Sequence, residues 1–226
     1  MSKPFGIVKT YLTDKWSWVA LPWVILFSSF SINLLLAGSI GDEMTTGGLA
    51  SIFIYTFVLG IISLSQTFPF IIGFGARRKD YFAGTAATIS IVGACSSVAL
   101  AVLAWIERQS DGWGVHLHFF SLPYFSDGST PMTALFFFGA MTNLFFAGFV
   151  ISSIHRKFGR NGLFLFFALI GLALTATFYL LSYYEGWQML GDWLDGGTLL
   201  QLTGTLLAIT FVYGAASYAL LRRATV

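Results

Sequence analysis

Charge is what this sequence has least of. Asp, Glu, Lys and Arg make up 10% of its 226 residues, against roughly 25% in ordinary globular proteins, while 56% are hydrophobic and 18% aromatic. A mean hydropathy of +0.77 describes a chain solvated by lipid rather than by water. Six helices of about 20 residues each would use a little over half of it and leave only short connections. A self-contained ATPase, kinase, dehydrogenase or extramembrane binding domain therefore has no room on it. Cysteine is nearly absent too. Cys95 is the single one, so no internal disulfide forms. The phosphate-cradling pattern GxxxxGK followed by Ser or Thr does not occur.

Six windows of at least 18 residues lack Lys, Arg, Asp and Glu, the length a bilayer core requires. They run over about 18–37, 49–72, 83–106, 132–154, 163–183 and 199–221. The fold class this predicts is all-α, a single polytopic membrane domain with six transmembrane helices. Lys3, Lys9 and Lys15 precede the first window, and the run up to Leu36-Ala37-Gly38-Ser39 imitates a signal peptide. A cleavable apolar core is about 7–15 residues; this run is longer and reads as the first span.

The scarce charges are sorted by side. Lys3, Lys9, Lys15, Arg77, Arg78, Lys79, Arg156, Lys157, Arg160, Arg222 and Arg223 fall on one side. Asp42, Glu43, Glu107, Asp111, Asp127, Glu185, Asp192 and Asp195 fall on the other, with Arg108 as its only cation. Cytoplasmic loops collect Lys and Arg, so both termini are expected in the cytoplasm. That requires an even number of crossings, as six spans provide. At 100° per residue, Phe5, Ile7, Val8, Tyr11, Leu12 and Trp16 share one arc and Thr10, Thr13 and Asp14 oppose it. Residues 1–16 are thus expected to form an amphipathic helix in the headgroup layer, touching membrane lipids.

No Asp, Glu, His, Lys or Arg lies inside the six windows, although ion-coupled carriers usually keep one there. The strongest polar groups at depth are Asn33, Gln66 and Asn143, which suit interhelical hydrogen bonds or a substrate contact. Small residues are spaced for close helix packing through Ala86, Ser90 and Ala94, through Gly93, Ser97 and Ala101, and through Gly139, Asn143 and Ala147.

Catalytic patterns are sparse. Gly73-Phe74-Gly75-Ala76-Arg77-Arg78 begins like a dinucleotide fingerprint but has Arg78 where the third glycine belongs, and no βαβ context. His116 and His118, with Asp111 or Asp127, lack a firm third metal ligand, so no metal site and no catalytic residue is assigned. The run Phe68 to Thr85 is more informative. Pro69 bends a helix end, Gly73 and Gly75 permit a turn, and Arg77-Arg78-Lys79-Asp80-Tyr81 makes a short polar element before Gly84 opens the next helix. A topological anchor needs the cations but not the aromatic pair Tyr81 and Phe82, whereas a protein contact uses both.

The stretch FPFIIGFGARRKDYFAGT resembles the small six-span membrane subunits of bacterial type-2 ABC exporters. GWGVHLHFFSLPYFSDG, residues 112–128, and HRKFGRNG, with Gly159 and Gly162, are similar to the same subunits. The resemblance implies a permease that is not itself an enzyme and carries no cofactor, with ATP and Mg bound by a separate cytoplasmic ABC ATPase. It implies that loop 73–85 docks into that ATPase through Gly75, Arg77, Arg78, Lys79, Asp80, Tyr81 and Phe82. A second six-span permease, identical or a sister subunit, is the other expected partner; nucleic acid is not one. The setting implied is the bacterial cell membrane. It also implies that the connection after the fifth span, 184–195, partly re-enters the membrane, while the loop over 107–131 is long enough to cap a cavity mouth. The runner-up is a non-transporting membrane-embedded sensor or assembly subunit that uses its basic loops only for topology.

Overall fold

The computed structural model describes residues 3–121, 129–195 and 198–222. They form an all-α protein: α1 Lys3–Thr13, α2 Trp16–Ile40, α3 Ala50–Gly73, α4 Arg78–Gln109, α5 Thr130–Tyr183, α6 Gly186–Asp195 and α7 Leu199–Arg222. Five of the described helices, α2, α3, α4, α5 and α7, are long and apolar enough to cross a membrane. Two short strands, β1 Met44–Thr45 and β2 Leu117–His118, pair in parallel and tie the α2–α3 connection to the chain after α4.

Glycine decides where the helices stop. Gly41, at φ 76°, closes α2, and its N–H donates to Ala37 O. A straight helix of 54 residues, the length of α5, would run about 80 Å, far more than the roughly 30 Å hydrocarbon core. It is broken at Gly159, whose φ of 68° and ψ of −166° suit a residue without Cβ. The break gives limbs 130–158 and 160–183. A Cβ on Gly162 would lie 2.1 Å from Phe158 Cβ, so both glycines of HRKFGRNG serve the bend. The two windows expected at 132–154 and 163–183 are thus joined through a kink rather than a loop.

The proximal limb of α5 is the central post, packed against α3, α4 and α7. Its closest approach is to α3. A Cβ on Gly60 would meet Phe145 O at 2.1 Å, and one on Gly148 would meet Phe57 O at 2.2 Å, so only glycine lets these backbones come together. Of the small-residue stripes, Gly93, Ser97 and Ala101 face inward, whereas Ser90 and Ala94 are exposed. Gly139 lies against Thr203 and Leu207 of α7.

Two hydrophobic clusters fill the bundle. One, at the end carrying the α3–α4 turn, contains Tyr11, Trp18, Phe68, Tyr81, Phe145 and Phe149; the other, at the opposite end, contains Leu26, Ile52, Leu100, Phe119, Phe120 and Phe137. The distal limb of α5 contributes to neither. Residues 167–180 are exposed without interruption although they are nearly all apolar.

Helix α1 differs in part from the expected surface helix. Ile7, Val8 and Tyr11 are buried against the bundle, while Phe5 and Trp16 of the same predicted arc are 58% and 69% exposed. The apolar face is split between protein and surroundings because the Tyr11 hydroxyl has partners inside.

Candidate functional site

The α3–α4 turn is tighter than a loop over 73–85. Phe74 ends α3, Gly75 adopts φ 77°, and the N–H groups of Gly75 and Ala76 reach back to Ile72 O at 2.8 Å and Ile71 O at 3.4 Å. This is a Schellman stop, in which a left-handed glycine lets two late N–H groups cap the last turn. Ala76 and Ile71 supply its usual apolar contact within one cluster. Gly75 therefore terminates a helix.

Arg77 is extended at φ −78°, ψ 146°, and α4 starts at Arg78 without a side-chain cap. The polar element expected before Gly84 is already the first turn and a half of a 32-residue helix. Asp80 sits in that first turn, where a carboxylate is favoured by the helix dipole.

Within the turn the side chains divide. Arg78 points across to the end of α7, its Nη1 donating to Arg222 O at 3.0 Å and Leu221 O at 3.4 Å. A guanidinium there satisfies late carbonyls and opposes the negative helix end. Phe82 packs between α5 and α7, with ring centroids 6.1 Å from Phe146 and 5.3 Å from Tyr218. Tyr81 is 0% exposed, which corrects its assignment as an aromatic contact for a partner. The surface instead consists of Phe74, 78% exposed, with Arg77 and Lys79. Phe70, 59% exposed, meets Phe74 edge-on at 4.7 Å. Sequence reasoning missed Phe74 because an aromatic residue at the end of an apolar run looks like more of the run.

Tyr81 belongs to a buried hydroxyl cluster drawn from three helices. Tyr11 of α1 donates to the Tyr81 hydroxyl at 3.0 Å and lies 2.8 Å from Thr67 Oγ1 of α3 and 3.1 Å from Thr85 Oγ1 of α4. The Tyr81 hydroxyl, 2.8 Å from Thr67 Oγ1, donates to Ser63 O at 3.3 Å. Burial holds the Tyr11 phenol above its ordinary value of 10.0. The cluster clips α1 to the helices on either side of the turn. Arg156 completes this end, its guanidinium 4.6 Å from the Phe68 ring centroid in a cation–π contact.

The three polar candidates at depth have separate roles. Asn33 Nδ2 donates to Ser29 O within its own helix at 2.8 Å. Asn143 Nδ2 bridges to α7, 3.2 Å from both Leu206 O and Thr210 Oγ1. Gln66 is exposed on the wall of a cavity beneath α1.

At the opposite end the sequence hid a residue. Glu107, counted with the loop acids, lies inside α4 and is 0% exposed. Its Oε2 accepts Trp113 Nε1 at 3.0 Å, Phe119 N at 3.0 Å and Phe120 N at 2.8 Å, and its Oε1 accepts Ser121 N at 2.9 Å and the Ser121 hydroxyl. A buried carboxylate needs such company. Around it Asp111, Trp113 and His116 take positive φ, as do Gly112 and Gly114, and the strain at the three non-glycine residues is offset by the carboxylate and by the edge-to-face contacts among the Phe30, Trp113, Phe119 and Phe120 rings. His116 pairs with Asp111 at 3.4 Å and His118 with Glu43 at 3.3 Å, so the histidines do not converge. Among the described residues no three His, Cys, Asp or Glu side chains gather for a metal. Asp127, the end of the similar stretch 112–128 and Arg223 lie outside the described residues, as do the side chains of Asp192, Trp193, Leu194 and Asp195.

No protein-family model matches the chain, and no curated protein or solved structure does either.

Proposed function

We propose that this chain is the membrane-spanning permease subunit of an ATP-driven transporter, an exporter of the bacterial type-2 ABC kind. A separate cytoplasmic ATPase binds ATP and Mg and docks on the α3–α4 turn. The observation that carries the reading is the division of labour in that turn. Phe74, Arg77 and Lys79 face out, while Arg78, Tyr81 and Phe82 connect the same few residues to α7, α1 and α5. A coupling element needs both properties: a surface that a partner can push, and stiff contacts that pass the push to the helices lining a path. An anchor that only set topology would need neither the Schellman stop nor the inward contacts.

With the limbs of α5 counted separately the described helices would make six crossings, and the charge asymmetry supports cytoplasmic termini and basic connections in a bacterial cell membrane. The apolar, exposed stretch 167–180 supports a second permease subunit or lipid against that limb. The chain then moves its cargo without chemistry of its own, through changes in how α4, α5 and α7 pack.

The test is co-purification with, and turnover of, a cytoplasmic ABC ATPase captured with this chain from its native membrane, at matched membrane expression. Phe74→Ala removes the exposed aromatic, and Arg77→Lys keeps charge but loses the planar fork. An interface anchor contributes on the order of 2 kcal/mol, about thirtyfold in affinity, so both variants should insert normally and lose most of the ATPase. Wild-type coupling in both would reject the docking surface, and ATP hydrolysis by the purified chain alone would reject the permease reading.

A further inference from the structure

Between α1 and α3 lies a cavity of about 300 Å³, small for a ligand pocket, which the transport reading does not use. Its lining mixes Asp14, Ser17 and Gln66 with Trp18, Leu59, Ile62 and Phe70, and Ile62, Gln66 and Phe70 follow one another along a single face of α3. Asp14 is the unusual member. It is one of only two acids in the basic half of the charge pattern, and its carboxylate meets no cation among the described residues. Lys9 and Lys15 are close in sequence and exposed, yet pair with nothing acidic there.

Part of its role is local. Asp14 Oδ1 accepts the Ser17 N–H at 3.3 Å, which caps the start of the helix leading into α2. Asn would cap equally well, and the helix dipole favours a carboxylate there, as at Asp80. The second carboxylate oxygen and the Gln66 amide, both on exposed residues, make no further hydrogen bond or ion pair among the described residues. A site built from a carboxylate, an amide oxygen and hydroxyls, beside two aromatic rings, has acceptors for a cation that can donate hydrogen bonds. An anion would meet Asp14, and a quaternary ammonium could not use the acceptors.

We propose that this cavity binds the primary ammonium of an amphiphile. The ammonium meets Asp14 and Gln66, and the chain leaves along Ile62 and Leu59. The volume takes a head group and the first part of a chain, not a whole lipid. Either an ethanolamine phospholipid of the bilayer or a free long-chain amine supplies that chemistry. The inference rests on the membrane reading of α1 and α3, not on the ATPase partner, and stands if that partner is disproved.

The full chain, in nanodiscs of equal phosphatidylethanolamine and phosphatidylcholine, is released for native mass spectrometry and its retained lipids are compared. In parallel, dodecylamine is added to phosphatidylcholine-only nanodiscs and hydrogen exchange is followed over residues 10–18. Asp14→Asn keeps the cap and removes the charge, and Gln66→Leu removes the amide. Wild type should prefer phosphatidylethanolamine by about two- to fivefold, the scale of one exposed ion pair, with the preference lost in Asp14→Asn and reduced in Gln66→Leu. If only dodecylamine protects residues 10–18, and only with Asp14 present, the site takes a free amine rather than a lipid head group. Equal behaviour of wild type and Asp14→Asn toward both probes overturns the proposal. Unchanged exchange in α4 residues 81–89 shows that the variant is folded, so a negative result is read as loss of the site.

Discussion

Replacing Glu107 by Gln tests whether one carboxylate organises the end of the molecule opposite the α3–α4 turn. Three donors reach Oε2 and two reach Oε1, so an amide must set its NH2 against one of these groups. Turned toward Ser121 it does least harm, because the serine hydroxyl can rotate to accept. The Ser121 N–H then has no acceptor, which costs about 1–3 kcal/mol. The three remaining bonds pass from charge-assisted to neutral, each weaker by roughly half. The total is about 2–4 kcal/mol, drawn from the local stability of the 113–121 segment rather than from the whole bundle. At 1.36 kcal/mol per factor of ten, amide exchange at Phe119, Phe120 and Ser121 should accelerate by about thirty- to a thousandfold. Hydrogen exchange in nanodiscs measures this, with α3 residues 56–64 as an internal control. Exchange within about twofold of wild type would show that edge-on ring contacts and the β1–β2 pairing hold the segment unaided, and the argument from the carboxylate would fail.

The Tyr11 phenol gives a pH prediction. Tyr11 holds its proton more tightly folded than unfolded, so its contribution is complete below the ordinary tyrosine value of 10.0 and declines as pH rises above it. Near-ultraviolet titration should show a late-ionising component that the Tyr11→Phe variant lacks; the same late component in that variant would refute the burial argument. Gly148→Ala forces a Cβ onto Phe57 O and should lower thermal stability by several kcal/mol, while Gly171→Ala, with nothing within 4 Å, should be neutral or gain about 0.5–1 kcal/mol; equal effects would contradict the close crossing. Asn143→Leu removes two bonds to α7 and should cost about 1 kcal/mol, read as a lower midpoint in a detergent melt. An unchanged midpoint would mean that packing at Gly139 carries the α5–α7 contact alone.

Composition was enough to determine the class. A chain with 10% charge and 56% hydrophobic residues points to long apolar helices, the form in which each backbone polar group is satisfied within its own segment, and five of the described helices are long and apolar enough to cross a membrane. The helices follow the uncharged windows, extended by a turn or two where α4 runs on from 83–106 to Arg78–Gln109. That glycine and a basic run end α3 was legible as well, because both are local signals, but the loop expected over 73–85 is only the four residues 74–77.

Which side chains face inward was not legible. Tyr81 and Phe82 adjoin in sequence and share aromatic character, but α4 turns Tyr81 toward hydroxyls on α1 and α3 that lie 70 and 14 residues away. Glu107 reads as one more loop acid until the chain after it curls back and aims N–H groups at it. Gly60 and Gly148 stand out only once α3 and α5 cross. Local sequence carries hydrophobicity and backbone preference, which set where a helix runs. Partners far apart along the chain are brought together only by packing, and in this protein packing decided which polar groups are buried and which remain exposed for other molecules.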